Sequence, residues 1–338
     1  MRYLKCQFSV NHKKKKQLMK KSKSIPIVFD MDIAGDCSNV GALATMHRLC
    51  DNGEARLLAV TACYDAPFIG GCVDGINAYY GHTVPVGILH GAPATERVVF
   101  AEQLCREYPG RYPMGAAVPD AVEVVRRALA AEEDGSVTFL VVGCLATAAA
   151  LLDSMPDDAS PLCGRDLAAV KIARTVVMGG RFPTFGDPTP AEFNSMAAFG
   201  DPTPAEFNIR ANIRAAQHFT REWPGDAIFS GFEIGWRILT LGDFTLHGPR
   251  DNPARRAYEL LGTTEKGRYS WDLTAALEAV RPGAYFDLHE AGRITVDDEG
   301  HTFWMPEEGG RQTYLLPKTP LDDIAALLNA LVWPGEGK

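Results

Sequence analysis

At 338 residues, 46% hydrophobic and 22% charged, the chain can bury a large core and has the composition of a globular protein. Its formal charge of −8 is unevenly spread: residues 1–24 hold nine Lys/Arg and no acid, leaving 25 bases against 42 acids, or −17, on the rest. That acidic body argues against nucleic acid as a partner along its surface, and no run reaches the roughly 18 to 20 apolar residues of a membrane span.

The leader "MRYLKCQFSVNHKKKKQLMKKSKS" lacks the apolar stretch of a secretory signal and is Lys-rich where a mitochondrial presequence favours Arg. It reads as a disordered tail, with nuclear import or RNA contact through "HKKKKQLMKK" as the sharper alternative. Eight cysteines at 6, 37, 50, 63, 72, 105, 144 and 163 form no CxxC pair. They read as reduced thiols filling the core of a cytoplasmic protein. No composition shift divides the remainder, so residues 25–335 are expected to form one domain.

Along the chain, short unbroken β-branched runs alternate with segments of helical period. "IPIVFDM" precedes "NVGALATMHRLCDN", "ARLLAVTA" precedes "IGGCVDGINAYYG", and "VPVGIL" precedes "PDAVEVVRRALAAEE". Then "VTFLVVG" precedes "LATAAALLDSM", before "RTVVMGG" and "DAIFSG". Such runs fit parallel strands covered on both faces, which predicts an α/β fold with a doubly wound, mostly parallel open sheet. Ligands in such sheets sit outside the carboxyl ends of the strands, here "DMDIAGD", "TACYDAP", "GCLATA", "MGGRF" and "FSGFE". From about residue 283, "GRITVD", "HTFWM" and "RQTYLL" alternate like a small antiparallel meander before a last helix, "PLDDIAALLNALV".

One decapeptide, "FGDPTPAEFN", occurs at 185–194 and again at 199–208. Two copies at this spacing do not make a solenoid; a local duplication inside a loop explains them, since closure entropy grows slowly with loop length.

Asp30 and Asp32 lie two apart at a strand end and so point to one side of the pleat, with Asp36 beyond a glycine-containing turn. Hard oxygen ligands of this kind suit calcium or magnesium. The same acids, with Ser38 and Asn39, would also cap the helix that starts near Asn39.

These residues resemble the opening of the inosine-uridine preferring nucleoside hydrolase family, in the longer form of its motif, DxDxGxDxDDxxAL. "VGCLATAAALL" is similar to the family's GxLTNxAxLL segment, "VVMGG" to its strand ending in MGG, "AEFN" to its substrate-binding EFN, and "SWDLTAAL" to its late His-Asp helix start. The resemblance implies a nucleoside as small-molecule substrate, with a calcium-bound water attacking the N-glycosidic bond and ribose and free base as products. It also implies a homodimer or homotetramer. Asp32 would be metal ligand and proton acceptor, Asp272 a second carboxylate ligand, and the backbone carbonyl of Ala146 a third ligand.

The departures matter as much. Asp36-Cys37 or Ser38-Asn39 can be aligned with the family's paired acids, and the second keeps "VGAL" in step with the helix. Asn39 then offers calcium one neutral oxygen and Ser38 a hydroxyl for the ribose, so calcium is expected to bind more weakly than is usual in the family. Trp271 stands where many members carry a histidine near the leaving base; indole can stack on a purine but cannot act as an acid. Thr147 replaces an Asn, and Asp65 falls near a ribose-contacting position, as does Asp36. Two EFN copies compete for the sugar's 5′ end, Glu192 and Asn194 or Glu206 and Asn208, the second keeping its spacing to "NIRAAQHFTREW". The replacements also admit a relative that binds ribosides without turnover. A phosphatase with Asp30 as nucleophile is disfavoured, because no convincing later lysine or second acidic pair follows.

Overall fold

The computed structural model describes residues 24–94, 97–182 and 205–333. The basic leader up to residue 23 and the first EFN copy, with Glu192 and Asn194, lie outside the described residues. The early runs form β1 (Ile25–Met31), β2 (Ala55–Ala62), β3 (Val86–Ile88), β4 (Val137–Val141), β5 (Ile172–Met178) and β6 (Ala227–Ser230). Two short strands, β7 (Leu239–Thr240) and β8 (Arg268–Tyr269), pair antiparallel. The C-terminal strands are β9 (Phe286–Leu288), β10 (Arg293–Val296), β11 (Thr302–Met305) and β12 (Gln312–Pro317).

The main sheet runs β3-β2-β1-β4-β5-β6-β12-β9 and is parallel except for β9, which lies antiparallel to β12. Its order reverses between β1 and β4, because chain-adjacent strands build outward from β1 in one direction and from β4 in the other. Such a reversal opens a crevice at the strand ends. "GRITVD" and "HTFWM" form the β10–β11 ribbon, while "RQTYLL" goes further and enters the main sheet beside β6. That strand is buried from Gln312 to Leu315, as a sheet interior requires.

Every β1 residue after Ile25 is buried, which accounts for its unbroken apolar run. Helices Ser38–Asp51 and Trp271–Val280 pack on one another, and the second also lies on β5. A single apolar cluster extends from Ile27 to Leu331. A smaller one joins Phe232 and Trp236 to Tyr269 and Trp271. Glycine at 235 permits that contact, since the Trp271 backbone stands where a Cβ would project. Among the described residues, no helix is long and apolar enough to cross a membrane.

Candidate active site

A cavity of about 290 Å³ opens at the β1/β4 reversal. Its lining includes Asp32, Asp36, Ser38, Asn39, Glu206, Asn208, Trp271 and Asp272, so eight of the ten sequence-predicted site residues converge. Ala146, buried at the start of helix Ala146–Asp153, is not part of the lining. Asp65 lies apart from the cavity, where its Oδ2 accepts from the Gly91 amide at 3.1 Å and stands 3.5 Å from His90 Nδ1.

The floor is built by the end of β1 and two helix starts. Asp30 is paired in register with Thr61 of β2, whose hydroxyl donates to Asp30 Oδ1 at 2.6 Å. Asp32 Oδ1 accepts from Asn39 Nδ2 at 3.0 Å. Ser38 Oγ donates to Asp272 Oδ2 at 2.6 Å. Both helix N-termini thus meet carboxylates, which the free amides and the helix dipoles favour. Glycine at 143 lets the chain leaving β4 approach this floor, because a Cβ there would come within 2.7 Å of the Asp32 nitrogen.

Burial governs the electrostatics. Asp32 is 3% exposed, and burial pushes its carboxyl up to about 7 against the pull of the Asn39 amide, with the Asp36 charge adding to the rise. Burial likewise raises Asp30 to about 7, opposed by the Thr61 hydroxyl. Asp272 stands well above the usual carboxyl range through burial and then the charge on Asp32. Asp30 Oδ2 and Asn39 Oδ1 are buried without a hydrogen-bond partner among the described residues. Two crowded carboxylates and two unpartnered oxygens form a hard donor set that fits a divalent cation, although Ser38 and Asn39 add no charge to it.

Asp36 has a partner that the sequence reading missed. Arg268, in β8, grips it with Nη2 and with Nε, the latter 3.1 Å from Oδ2, while the Ser38 amide donates to Oδ1 at 2.9 Å. Burial works against the Arg268 charge, but Asp36 outweighs it and raises the guanidinium above its ordinary range. The cue lay in the sequence as an arginine three residues before Trp271, but nothing local tied it to a strand end 232 residues away.

The far wall is aromatic. Phe232, Trp236 and Trp271 line it, with Phe232 and Trp271 centroids 5.3 Å apart. Trp271 Nε1 donates to the Phe232 carbonyl at 2.9 Å, so the indole is fixed and its N–H is already used. On the remaining side, Glu206 caps helix Phe207–Ala211: its carboxylate accepts from the amides of Asn208 at 3.0 Å, Ile209 at 3.2 Å and Gly180 at 3.1 Å. Asn208 Nδ2 donates to the carbonyls of Val142 at 3.0 Å and Met178 at 3.1 Å, tying that helix to the ends of β4 and β5.

Two histidines and Glu233, none of them part of the cavity lining, bond to the surrounding fold. His47 is buried in its helix against Asn77, and His218 pairs with Asp153 at the surface. Glu233 accepts from the Phe182 amide. Asp297, Glu299 and His301 also lie close together, but Asp297 accepts from the amides of Glu299 and His301 and from the His301 ring, as in a self-bonded hairpin turn.

No family model and no curated protein matches the chain. Solved structures do. A plant nucleoside hydrolase, PpNRh1, is 17% identical and superposes with a TM-score of 0.65 over 91% of this chain and 98% of its own. An inosine-uridine preferring nucleoside hydrolase from Bacillus anthracis is 16% identical, with a TM-score of 0.65 over 91% and 99%. The type III effector XopQ, solved with adenosine diphosphate ribose, is 14% identical, with a TM-score of 0.65 over 91% and 92%. The chain therefore has the nucleoside-hydrolase fold.

Proposed function

We propose that this chain is a divergent nucleoside hydrolase that cleaves the N-glycosidic bond of a ribonucleoside to ribose and free base. The observation that carries the reading is the convergence of Asp32, Asp36, Ser38, Asn39 and Asp272 on the floor of one cavity whose opposite wall is the Phe232–Trp236–Trp271 cluster. An acidic floor suits a sugar diol and an aromatic wall suits a base, and the gap between them is where the glycosidic bond would lie.

Asp32, Asn39 and Asp272 would hold calcium. When bound, the ion supplies a seat for the sugar diol and lowers the pKa of a coordinated water. Asp32 accepts the proton of the attacking water. Fixed carboxylate charge on the floor stabilises the positive sugar of the transition state. Asp36 and Ser38 hydrogen-bond ribose hydroxyls, and Glu206 and Asn208 stand at the 5′ end. Trp271 stacks on the base, and with its N–H committed to Phe232 it does not protonate the leaving group.

Hydrogen bonds from Ser38 and Asn39 take one oxygen each of Asp272 and Asp32, which supports calcium binding weaker than three carboxylates would give. They also favour a second reading, riboside binding without turnover. Incubating the protein with inosine, uridine and adenosine, with calcium or with EDTA, and assaying free ribose separates the two. Release abolished by EDTA and by Asp32→Ala supports hydrolysis; silence at millimolar calcium with retained nucleoside binding selects the second reading.

A further inference from the structure

One guanidinium touches both halves of the cavity. Through Nε and Nη2 Arg268 holds Asp36 on the acidic side, and its Cζ stands over the Trp271 ring on the aromatic side, 5.1 Å from the centroid. All three residues line the same space. The Arg268 side chain is 15% exposed, so its contact with the indole is mostly out of water, where a cation and a ring attract each other most strongly.

Trp271 needs such a support. It is half-buried and is the first residue of helix Trp271–Val280, where the preceding Ser270 makes no side-chain capping bond. One edge of the indole is tied by the Nε1 bond to the Phe232 carbonyl, while the rings of Phe232 and Tyr269 meet it tilted, each 5.3 Å away. A single hydrogen bond leaves a ring free to swing about the bonded edge, and a guanidinium set over the ring resists that swing. Arg268 can resist it because Arg268 is itself held. Its backbone pairs with Thr240 in the β7–β8 ribbon, and Asp36 is in turn fixed by the Ser38 amide at 2.9 Å. The chain of contacts therefore runs from the end of β1 through Asp36 and Arg268 to Trp271, the residue next to Asp272, and joins the sugar floor to the base wall.

We propose that Arg268 is a positioning residue which, with Asp36 as its anchor, holds the Trp271 indole at the angle at which a base stacks. The proposal rests on the riboside reading, which puts the base against Trp271. Asp36 then serves the base as well as the sugar, although it lies on the sugar side. The role is specific to arginine, because a lysine ammonium keeps the charge but has neither the plane that packs on a ring nor the fork that grips a carboxylate. Its contribution is orientation: a base held in register with the sugar delivers the C1′–N bond to the attacking water in a fixed geometry.

The test uses the full chain and two readouts: calorimetric titration with adenine, adenosine and ribose in calcium, and solvent exchange of the Trp271 indole N–H by NMR, its signal assigned by loss in Trp271→Phe. Arg268→Met is expected to speed that exchange by about tenfold, through loss of the cation–ring contact. It is expected to weaken adenine and adenosine by about tenfold and ribose by less than about twofold, since only the base meets the indole. Asp36→Asn should speed the exchange and weaken adenine in the same direction, the double variant should lose no more adenine affinity than Arg268→Met, and Arg268→Lys should not restore the parent values. Arg311→Ala, which removes a surface cation paired with Asp226, is the control for net charge and changes none of them. Should Arg268→Met fail to fold, Asp36→Asn and Arg268→Lys carry the same readouts. Unchanged indole exchange in Arg268→Met, equal losses of adenine and ribose, or an Asp36→Asn that leaves both adenine affinity and exchange as in the parent overturns the proposal alone. A parent that binds none of the three ligands overturns the riboside reading and the proposal together.

Discussion

Ser38 Oγ donates to Asp272 Oδ2 at 2.6 Å, joining residues 234 apart where two packed helices begin. This bond does the local work of a shared counter-charge: it meets one oxygen of a buried carboxylate that has no cation of its own beside it among the described residues. Ser38→Ala should lower stability by about 1–3 kcal/mol through the unsatisfied carboxylate. Ser38→Asp should be more damaging in EDTA, because it sets a second charge against Asp272, and should gain more from calcium than the parent. Thermal melts of the three proteins with and without calcium check this; an equal calcium shift in all three would place Ser38 away from any cation.

Arg268 and Asp36 are 15% and 22% exposed, so their bond is shielded enough to matter. Arg268→Met is expected to cost about 3 kcal/mol by leaving Asp36 uncompensated. The double variant Arg268→Met/Asp36→Asn should recover part of that loss. Urea denaturation of the four members of the cycle reads the coupling, and additive losses would show that the pair contributes nothing as a pair.

Glu206 holds three backbone amides, so Glu206→Ala should cost about 2 kcal/mol, the upper end for a helix cap. Removing residues 185–198 keeps one intact "FGDPTPAEFN" and every one of those bonds. That deletion is expected to leave the melting temperature unchanged. A large drop would mean that the first copy carries contacts the fold depends on.

His47 gives the pH dependence a defined sign. It is fully buried, its Nε2 is 2.9 Å from Asn77 Oδ1, and burial, reinforced by His82, lowers its pKa from 6.5 to about 3. Above the unfolded value neither state is charged and stability is complete. As pH falls below 6.5, the unfolded chain takes the proton first, and stability drains away until the folded value is reached. By pH 5 the loss from this residue should be about 2 kcal/mol. Melts of the protein and of His47→Gln between pH 7.5 and 5 should diverge in steepness, the variant being flatter; parallel curves would refute the assignment.

Much of the fold was legible because parallel strands write themselves as short apolar runs, and β1 to β6 each fall on one. The exception, β12, reads as part of a small antiparallel meander because its half-buried end pairs with the antiparallel edge strand β9. Asp32, Asp36, Ser38 and Asn39 were legible as a group because they are contiguous. Asp272 followed only from its resemblance to a known helix start. Arg268 escaped notice since a lone arginine carries no local signature; its meaning comes from what tertiary packing sets opposite it, here Asp36. Asp65 shows the converse, an acid after a strand end that the fold turns toward His90 instead of the cavity.

The proposed reaction breaks one bond, between ribose C1′ and a base nitrogen. Proton NMR of inosine with catalytic amounts of protein and calcium follows that bond directly through the nucleoside H1′ signal. This signal is expected to decay while ribose anomeric signals and free hypoxanthine grow in step, and Asp32→Asn and EDTA are each expected to stop the decay. An unchanged H1′ signal at millimolar calcium, or decay that persists in Asp32→Asn, would contradict it.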